Sequence, residues 1–156
     1  MPICVAVPKE TAPAEQRVAL VPEVAKKLTG LGLDVAIQAS AGATAFYTDR
    51  DYTPARIVDS ATELFGAADI LLTVQPLETE AISQLREGST VIGFLHPHEH
   101  PERIAMLRDG NITSFAIELI PRISRAQGMD ALSSQASIAG YKGALLAADN
   151  TARFFP

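Results

Sequence analysis

One stretch near the end of the chain concentrates groups that could bind a ligand: Pro121-Arg122-Ile123-Ser124-Arg125-Ala126-Gln127-Gly128-Met129-Asp130-Ala131-Leu132-Ser133. Its arginines and Gln127 can hydrogen-bond an amide, a hydroxyl or a phosphate. Asp130 stands where it would N-cap a following helix. On residue type alone, the stretch is either an exposed connection with a capped helix or one wall of a binding site. Arg17 lies in the segment EQRVALVPE, next to apolar Val18, Ala19 and Leu20. It either pairs with Glu15 or Glu23 at the surface or grips the carboxylate or amide of a ligand. All three histidines fall in His96-Pro97-His98-Glu99-His100. Alternation in an extended segment puts side chains on one side, and histidine is a common metal ligand. Pro97 and Pro101 mark an irregular loop, however, and no second cluster completes a ligand set. A solvated loop is expected and no metal site, with His96, nearest the preceding strand, able to face a ligand.

Several chemistries are missing. No G-x-G-x-x-G or G-x-x-x-x-G-K-[ST] occurs, so the usual pyrophosphate cradle is absent. No G-x-S-x-G elbow supports hydrolase chemistry. The one cysteine, Cys4, excludes an internal disulfide, and in the apolar run Ile3–Val7 it reads as a buried thiol. The 156 residues carry a net charge of −5 and a pI near 5.1. Nothing resembles the basic stripe of a nucleic-acid binder. The apolar runs fall well short of the ~20 residues that span a bilayer, so no direct membrane insertion is expected. The N terminus lacks the charge-first pattern of a signal peptide, which points to a cytosolic location.

The elements that must position these residues alternate. Apolar runs predict strands at Ile3–Val7, Asp34–Gln38, Ile70–Val74, Thr90–Leu95 and Ile112–Ile117. Helices are predicted at Pro22–Leu31, Ala61–Ala67 behind a Ser60 cap with Glu63 in a capping box, Glu78–Leu85 and Pro101–Arg108. Ala39–Ala45 reads as a small-residue loop, and Tyr52–Ile57 is ambiguous. Strands separated by short helices imply a mostly parallel sheet with helices on both faces, a Rossmann- or flavodoxin-like three-layer α/β fold. Ligands on such sheets bind beyond the strands' C-terminal ends. One long helix is predicted from Asp130 to about Arg153. Along it Ser133, Ser137, Gly140, Ala144 and Ala147 recur on one face. Glycine inside a helix costs roughly 1 kcal/mol against alanine, so Gly140 and Gly143 suggest close approach of another backbone.

Arg122–Lys142, RISRAQGMDALSSQASIAGYK, is similar to the signature loop and helix of the NAD(H)-binding component of proton-translocating nicotinamide nucleotide transhydrogenases. EQRVALVPE resembles a segment these share with alanine dehydrogenases, and the likeness runs from Ile3 to Phe155. The resemblance implies a first α/β domain, residues 1–129, and a connecting helix, 130–156, leading to an absent nucleotide-binding domain that carries the Gly-rich turn. It implies hydride transfer between NAD(H), bound by the complete subunit, and NADP(H), bound by a partner. By resemblance Arg122, Gln127 and Asp130 act at the nicotinamide, with Ser133 also contacting it. Arg122 would orient the carboxamide, Gln127 would reach toward NADP(H), and Asp130 would hold the loop. The implied partners are the NADP(H)-binding beta and membrane components, and a second copy in a homodimer. The implied place is the cytoplasmic face of the inner membrane, and the chain alone is expected to be inactive. Two other readings stay open. An alanine dehydrogenase-like domain fits Arg17 and His96, but Gln75 stands where that family has a lysine. A non-catalytic dimerisation or docking domain fits the small-residue helix face.

Overall fold

Strands with no polar face need cover on both sides, and a parallel sheet provides it. A computed structural model of the chain describes residues 2–153. Among the described residues the strands are β1 (Cys4–Val7), β2 (Asp34–Gln38), β3 (Arg56–Val58), β4 (Ile70–Leu72), β5 (Thr90–Gly93) and β6 (Thr113–Ala116). All pair in parallel, in the order β3-β2-β1-β4-β5-β6. The order reverses between β1 and β4, where such sheets offer a crevice.

The two-residue period of each strand builds two cores. Cys4 and Ala6 of β1 and Ala36 of β2 face a core with Leu64 and Phe65 of α2 (Ala61–Ala67), Ile82 of α3 (Thr79–Ile82) and Leu107 of α4 (Pro101–Asp109). Val7, Val35 and Ile37 face the other, with Ala25 of α1 (Pro22–Gly30) and Tyr52. Helices therefore lie on both faces, as the sequence predicts. Pro22 and Pro101 open α1 and α4 in the first turn, where a missing N–H costs nothing. The Ser60 hydroxyl accepts from the Glu63 N–H at 3.2 Å.

Departures from the sequence-based bounds have local causes. β4 stops at Leu72 because the N–H of Val74 is taken by the Glu10 carboxylate at 2.6 Å. α3 is a single turn rather than Glu78–Leu85. Beyond Ile82 the chain winds in tighter i→i+3 turns, and Ser83 and Gln84 side chains both donate to the Glu80 carbonyl. The ambiguous Tyr52–Ile57 resolves into a 3-10 turn, Asp49–Tyr52, followed by β3. Buried Tyr52 donates to the Leu20 carbonyl at 3.0 Å.

The chain divides into two compact units, the first ending at Ala116 and the second starting at Ile117. The second holds a 3-10 segment, Ser124–Met129, and α5 (Ala131–Asn150). The expected helix end near Arg153 is drawn in to Asn150, with Thr151 extended. Residues 154–156 of the expected connecting helix, like Met1, lie outside the described residues. Among the described residues no helix is long and apolar enough to cross a membrane.

β4 and β5 meet closely at Gly93. A Cβ there would collide with Thr73 Oγ1 and stand 2.5 Å from the Thr73 carbonyl oxygen, which cannot give way as a side chain can. Gly93→Ala is expected to cost about 3 kcal/mol, read as a lowered urea midpoint at unchanged slope. An unchanged midpoint would mean that the two strands can part freely.

Candidate functional site

In the first unit, the C-terminal edge of the sheet is organised by two carboxylates on the loop after β1. Glu10 accepts from the backbone N–H groups of Val74 at 2.6 Å and Gln75 at 3.2 Å. Ala14, with φ 63°, turns the loop through the left-handed region, so that Glu15 folds back on Arg17. Glu15 accepts from Arg17 at the backbone N–H (2.9 Å), Nε (2.7 Å) and a terminal guanidinium nitrogen (2.6 Å), and from Gln75 Nε2 at 2.6 Å. Its side chain is 6% exposed and that of Arg17 42%. The Arg17 guanidinium lies 6.0 Å from the centre of the Phe94 ring. Beside this edge, a cavity of about 200 Å³ sits where the strand order reverses, lined in part by Glu10, Gln38, Phe65 and Gln75.

The two carboxylates are pushed in opposite directions. The hydrogen bonds from Arg17 hold Glu15 down at about 2, against its burial and with help from Gln75. Burial raises Glu10, and the Val74 and Gln75 N–H groups only partly offset this. Arg17 is therefore an internally paired arginine, and Glu15 is the partner. The sequence alone leaves Glu15 and Glu23 open. Glu23 instead pairs with Lys27 at 2.6 Å. Neither Glu10 nor the link from Gln75 to Glu15 is visible in the sequence, because both join residues some sixty positions apart.

His96 lies three residues beyond the end of β5, which stops at Gly93 rather than at the expected Leu95; it has φ 48°, and its Nδ1 lies 3.4 Å from Glu99. His100 lies 3.5 Å from Glu102. Among the described residues, no group of three or more histidine, cysteine, aspartate or glutamate side chains could hold a metal ion. Cys4 is buried, and burial first, then the nearby Asp34, raises its thiol.

In the second unit, Asp130 N-caps α5. Its carboxylate accepts from the Ser133 N–H at 3.0 Å and the Ser133 hydroxyl at 2.5 Å. The Ser133 hydrogen bonds are the main reason that Asp130 is lowered, and the Arg122 charge adds to the effect. The structure thus brings Arg122, Asp130 and Ser133 into one electrostatic group. Gln127 lies exposed on the 3-10 segment. What the sequence reads as an exposed connection is wound, with the Asp130 N–H donating to the Gln127 carbonyl at 3.3 Å. With its hydroxyl proton directed to Asp130, Ser133 keeps lone pairs that can accept from a ligand N–H. Arg122 and Gln127 can donate to a ligand carbonyl. Donors and an acceptor of these types match the chemistry of a primary amide.

Among the described residues of this unit, Ala126 alone is buried. α5 leaves Leu132, Ile138, Tyr141, Leu145 and Leu146 exposed, and its charged residues are Lys142 and Asp149. A Cβ at Gly140 or Gly143 would meet nothing within 4 Å. The small residues on this helix therefore serve no close packing among the described residues.

A family model described as "Alanine dehydrogenase/PNT, N-terminal domain" matches residues 6–139. The chain is similar to "NAD(P) transhydrogenase subunit alpha" of Cereibacter sphaeroides, 41% identical over 150 residues, covering 95% of this chain and 29% of that protein. It is also similar to an NAD(P) transhydrogenase alpha-subunit polypeptide of Rhodospirillum rubrum, 40% identical over 159 residues, covering 97% of this chain and 41% of the relative. A crystal structure of transhydrogenase from Sinorhizobium meliloti superposes with a TM-score of 0.91 at 40% identity, over 98% of this chain and 46% of that one. The chain thus spans less than half the length of the relatives it matches.

The Glu15 cluster makes an acid-stability prediction. A carboxyl lowered from 4.5 to about 2 on folding contributes stability that is present above the unfolded value and lost as pH falls from 4.5 toward 2. With Arg17 partly exposed, that contribution is about 2 kcal/mol. Glu15→Gln is expected to lose it at pH 7 and to flatten the stability profile between pH 4.5 and 2, measured by urea unfolding across pH. An unchanged profile would mean that the ion pair contributes nothing.

Proposed function

The chain belongs to the alanine dehydrogenase/PNT N-terminal domain family, and on that premise we propose that it belongs to the NAD(H)-binding component of a proton-translocating transhydrogenase. The observation that supports this reading best is the group Arg122, Asp130 and Ser133 in the second unit, set in the stretch RISRAQGMDALSSQ. In this reading the complete subunit binds NAD(H) and a partner binds NADP(H). Hydride passes between the two nicotinamide C4 atoms: NADH becomes NAD⁺ and NADP⁺ becomes NADPH.

The residues of this chain position rather than react. Hydride transfer between two nicotinamides asks the protein for alignment and water exclusion, not for an acid or base. Arg122 donates to the carboxamide oxygen and fixes the rotation of the ring. The Ser133 hydroxyl, its proton committed to Asp130 at 2.5 Å, accepts from the carboxamide N–H. Asp130 caps α5 and holds Ser133 in that orientation. Gln127, exposed on the 3-10 segment, reaches toward the partner's nucleotide. In this reading pyrophosphate binding falls to a Gly-rich turn elsewhere in the complete subunit.

The exposed apolar surface of α5 suits assembly. A helix apolar on most sides is normally covered, and small residues let another backbone approach. We assign its cover to the remainder of the subunit and to a second copy in a homodimer. The beta and membrane components complete the enzyme at the cytoplasmic face of the inner membrane. An alanine dehydrogenase-like role is less well supported, because Gln75 is neutral and Arg17 is already paired with Glu15.

The test is transhydrogenation from NADH to an NADP⁺ analogue, with the NADP(H)-binding component added. The chain alone should give a negligible rate, and a complete subunit containing it a full one. In that subunit, Arg122→Ala and Gln127→Ala should each slow hydride transfer about 10- to 100-fold without shifting the unfolding midpoint. Full activity of the chain alone, or unaffected variants, would overturn the proposal.

A further inference from the structure

The loop after β2 turns at Phe46 in a way that costs the chain stability twice. Phe46 follows the 3-10 turn Ala43–Ala45 with φ 65° and ψ 25°. Its N–H donates to the Ala43 carbonyl at 3.2 Å, and the Tyr47 N–H reaches back to the Gly42 carbonyl at 3.0 Å. A left-handed residue that closes a helical turn in this manner is usually glycine, because a side chain is strained there. Phenylalanine takes the position instead, and it is 94% exposed. Tyr47 beside it is held firmly. Its ring meets the ring of buried Tyr52 edge-on, with centres 6.4 Å apart. Gly42 leaves room for the pair: a Cβ there would stand 2.9 Å from Tyr47 Cβ and 2.7 Å from the Tyr52 hydroxyl. We propose that Phe46 and Tyr47 anchor a partner protein through a segment that presents an apolar side chain flanked by lysine or arginine.

Strain, shape and charge carry the inference. A strained backbone under an exposed ring subtracts from folding, and such strain collects at functional positions. Aromatic rings braced from beneath are the anchors that protein interfaces use. Tyr47 separates two shallow hollows of about 400 and 460 Å³. Phe46 and Asp49 help to line the first, and Val21, Glu23 and Asp51 the second. Three carboxylates thus border the aromatic pair, and no described lysine or arginine lines either hollow. Lys27 is bonded to Glu23 at 2.6 Å, and exposed Arg50, between the two aspartates, lies outside both linings. Hydrogen bonds from Lys27 and from Thr48 hold Glu23 and Asp51 below the usual carboxylate range, so both are charged at neutral pH. A basic segment with an apolar centre therefore meets complementary charge around an apolar anchor, and its cations can lie over the ring faces. A second copy of this chain, with a net charge of −5, carries the wrong overall sign. The surface lies wholly within the first unit and does not rest on the hydride-transfer reading.

Titration at pH 7 with a capped peptide of alternating arginine and leucine, and with one of alternating glutamate and leucine, tests it by ¹H–¹⁵N NMR. The basic peptide should shift the Phe46, Tyr47 and Asp49 amides saturably, with a dissociation constant of about 0.1–1 mM, and the acidic one should not. Asp49→Asn with Asp51→Asn should weaken binding about 10-fold. Phe46→Gly should abolish it while raising the folded-to-unfolded ratio about 5-fold, read as a higher urea midpoint, because glycine relieves the left-handed strain. Phe46→Ala, which keeps the strain, should lose binding without that gain. A wild-type chain that binds neither peptide, or both alike, would overturn the proposal. So would binding that survives in Phe46→Gly, or a lowered midpoint in that variant, which would make the ring part of the chain's own packing. The titration is repeated with a complete subunit containing the chain. Loss of peptide binding there would assign the surface to the rest of the subunit, and self-association removed by Phe46→Gly would assign it to a second copy; either result overturns the proposal.

Discussion

The loop after β1 is tied to the loop after β4 by Glu10, which supplies the acceptors for two backbone N–H groups as the fourth strand ends. A parallel sheet leaves such groups unsatisfied at its C-terminal edge, and an unpaired buried N–H is costly. Glu10 meets that cost at the reversal of strand order. Its bonds bring Gln75 to Glu15, and Glu15 to the Arg17 fork. The geometry of the corner around Glu15 and Arg17 is built on those two bonds. The opposite pKa directions of Glu10 and Glu15 have the same origin. One carboxylate is buried among peptide dipoles, and the other is gripped by a cation.

A different constraint governs the second unit. Its described residues bury little, and α5 carries large apolar side chains into solvent. Helices in proteins draw most of their stability from tertiary packing of an apolar face. The helix therefore makes most sense within something larger, which agrees with relatives more than twice as long. Its first turn is nevertheless well ordered by chemistry of its own, through the bonds between Asp130 and Ser133. Under the proposed function, the same bonds that cap the helix aim the serine at a carboxamide, so stability and positioning share one interaction.

Much of the fold was legible. Continuous apolar runs located five strands, and the proline-led starts at Pro22 and Pro101 located two helices to within a residue. β3 was not legible, because Arg56 and Ile57 are exposed on an edge strand and leave no clear apolar pattern. α3 was overestimated because the Ser83 and Gln84 side chains both engage the Glu80 carbonyl as the chain passes into tighter turns, an effect that periodicity does not register. At the strand-end corner, the pairing of Arg17 with Glu15 is one option that the E-x-R spacing offers. The selection comes from Gln75, which is distant in sequence. In the second unit, the N-cap at Asp130 was readable from residue type, whereas the winding of Ser124–Met129 was hidden by Gly128 and the polar side chains.

The claim that the stretch from Arg122 to Ser133 forms the nicotinamide-facing wall of a cleft is met most directly by cross-saturation NMR. The nicotinamide ring protons of NADH bound to a complete subunit containing this chain would be irradiated. The account predicts attenuation centred on the amides of Arg122, Gln127 and Ser133. Attenuation absent from that stretch, with NADH fully bound, would contradict it.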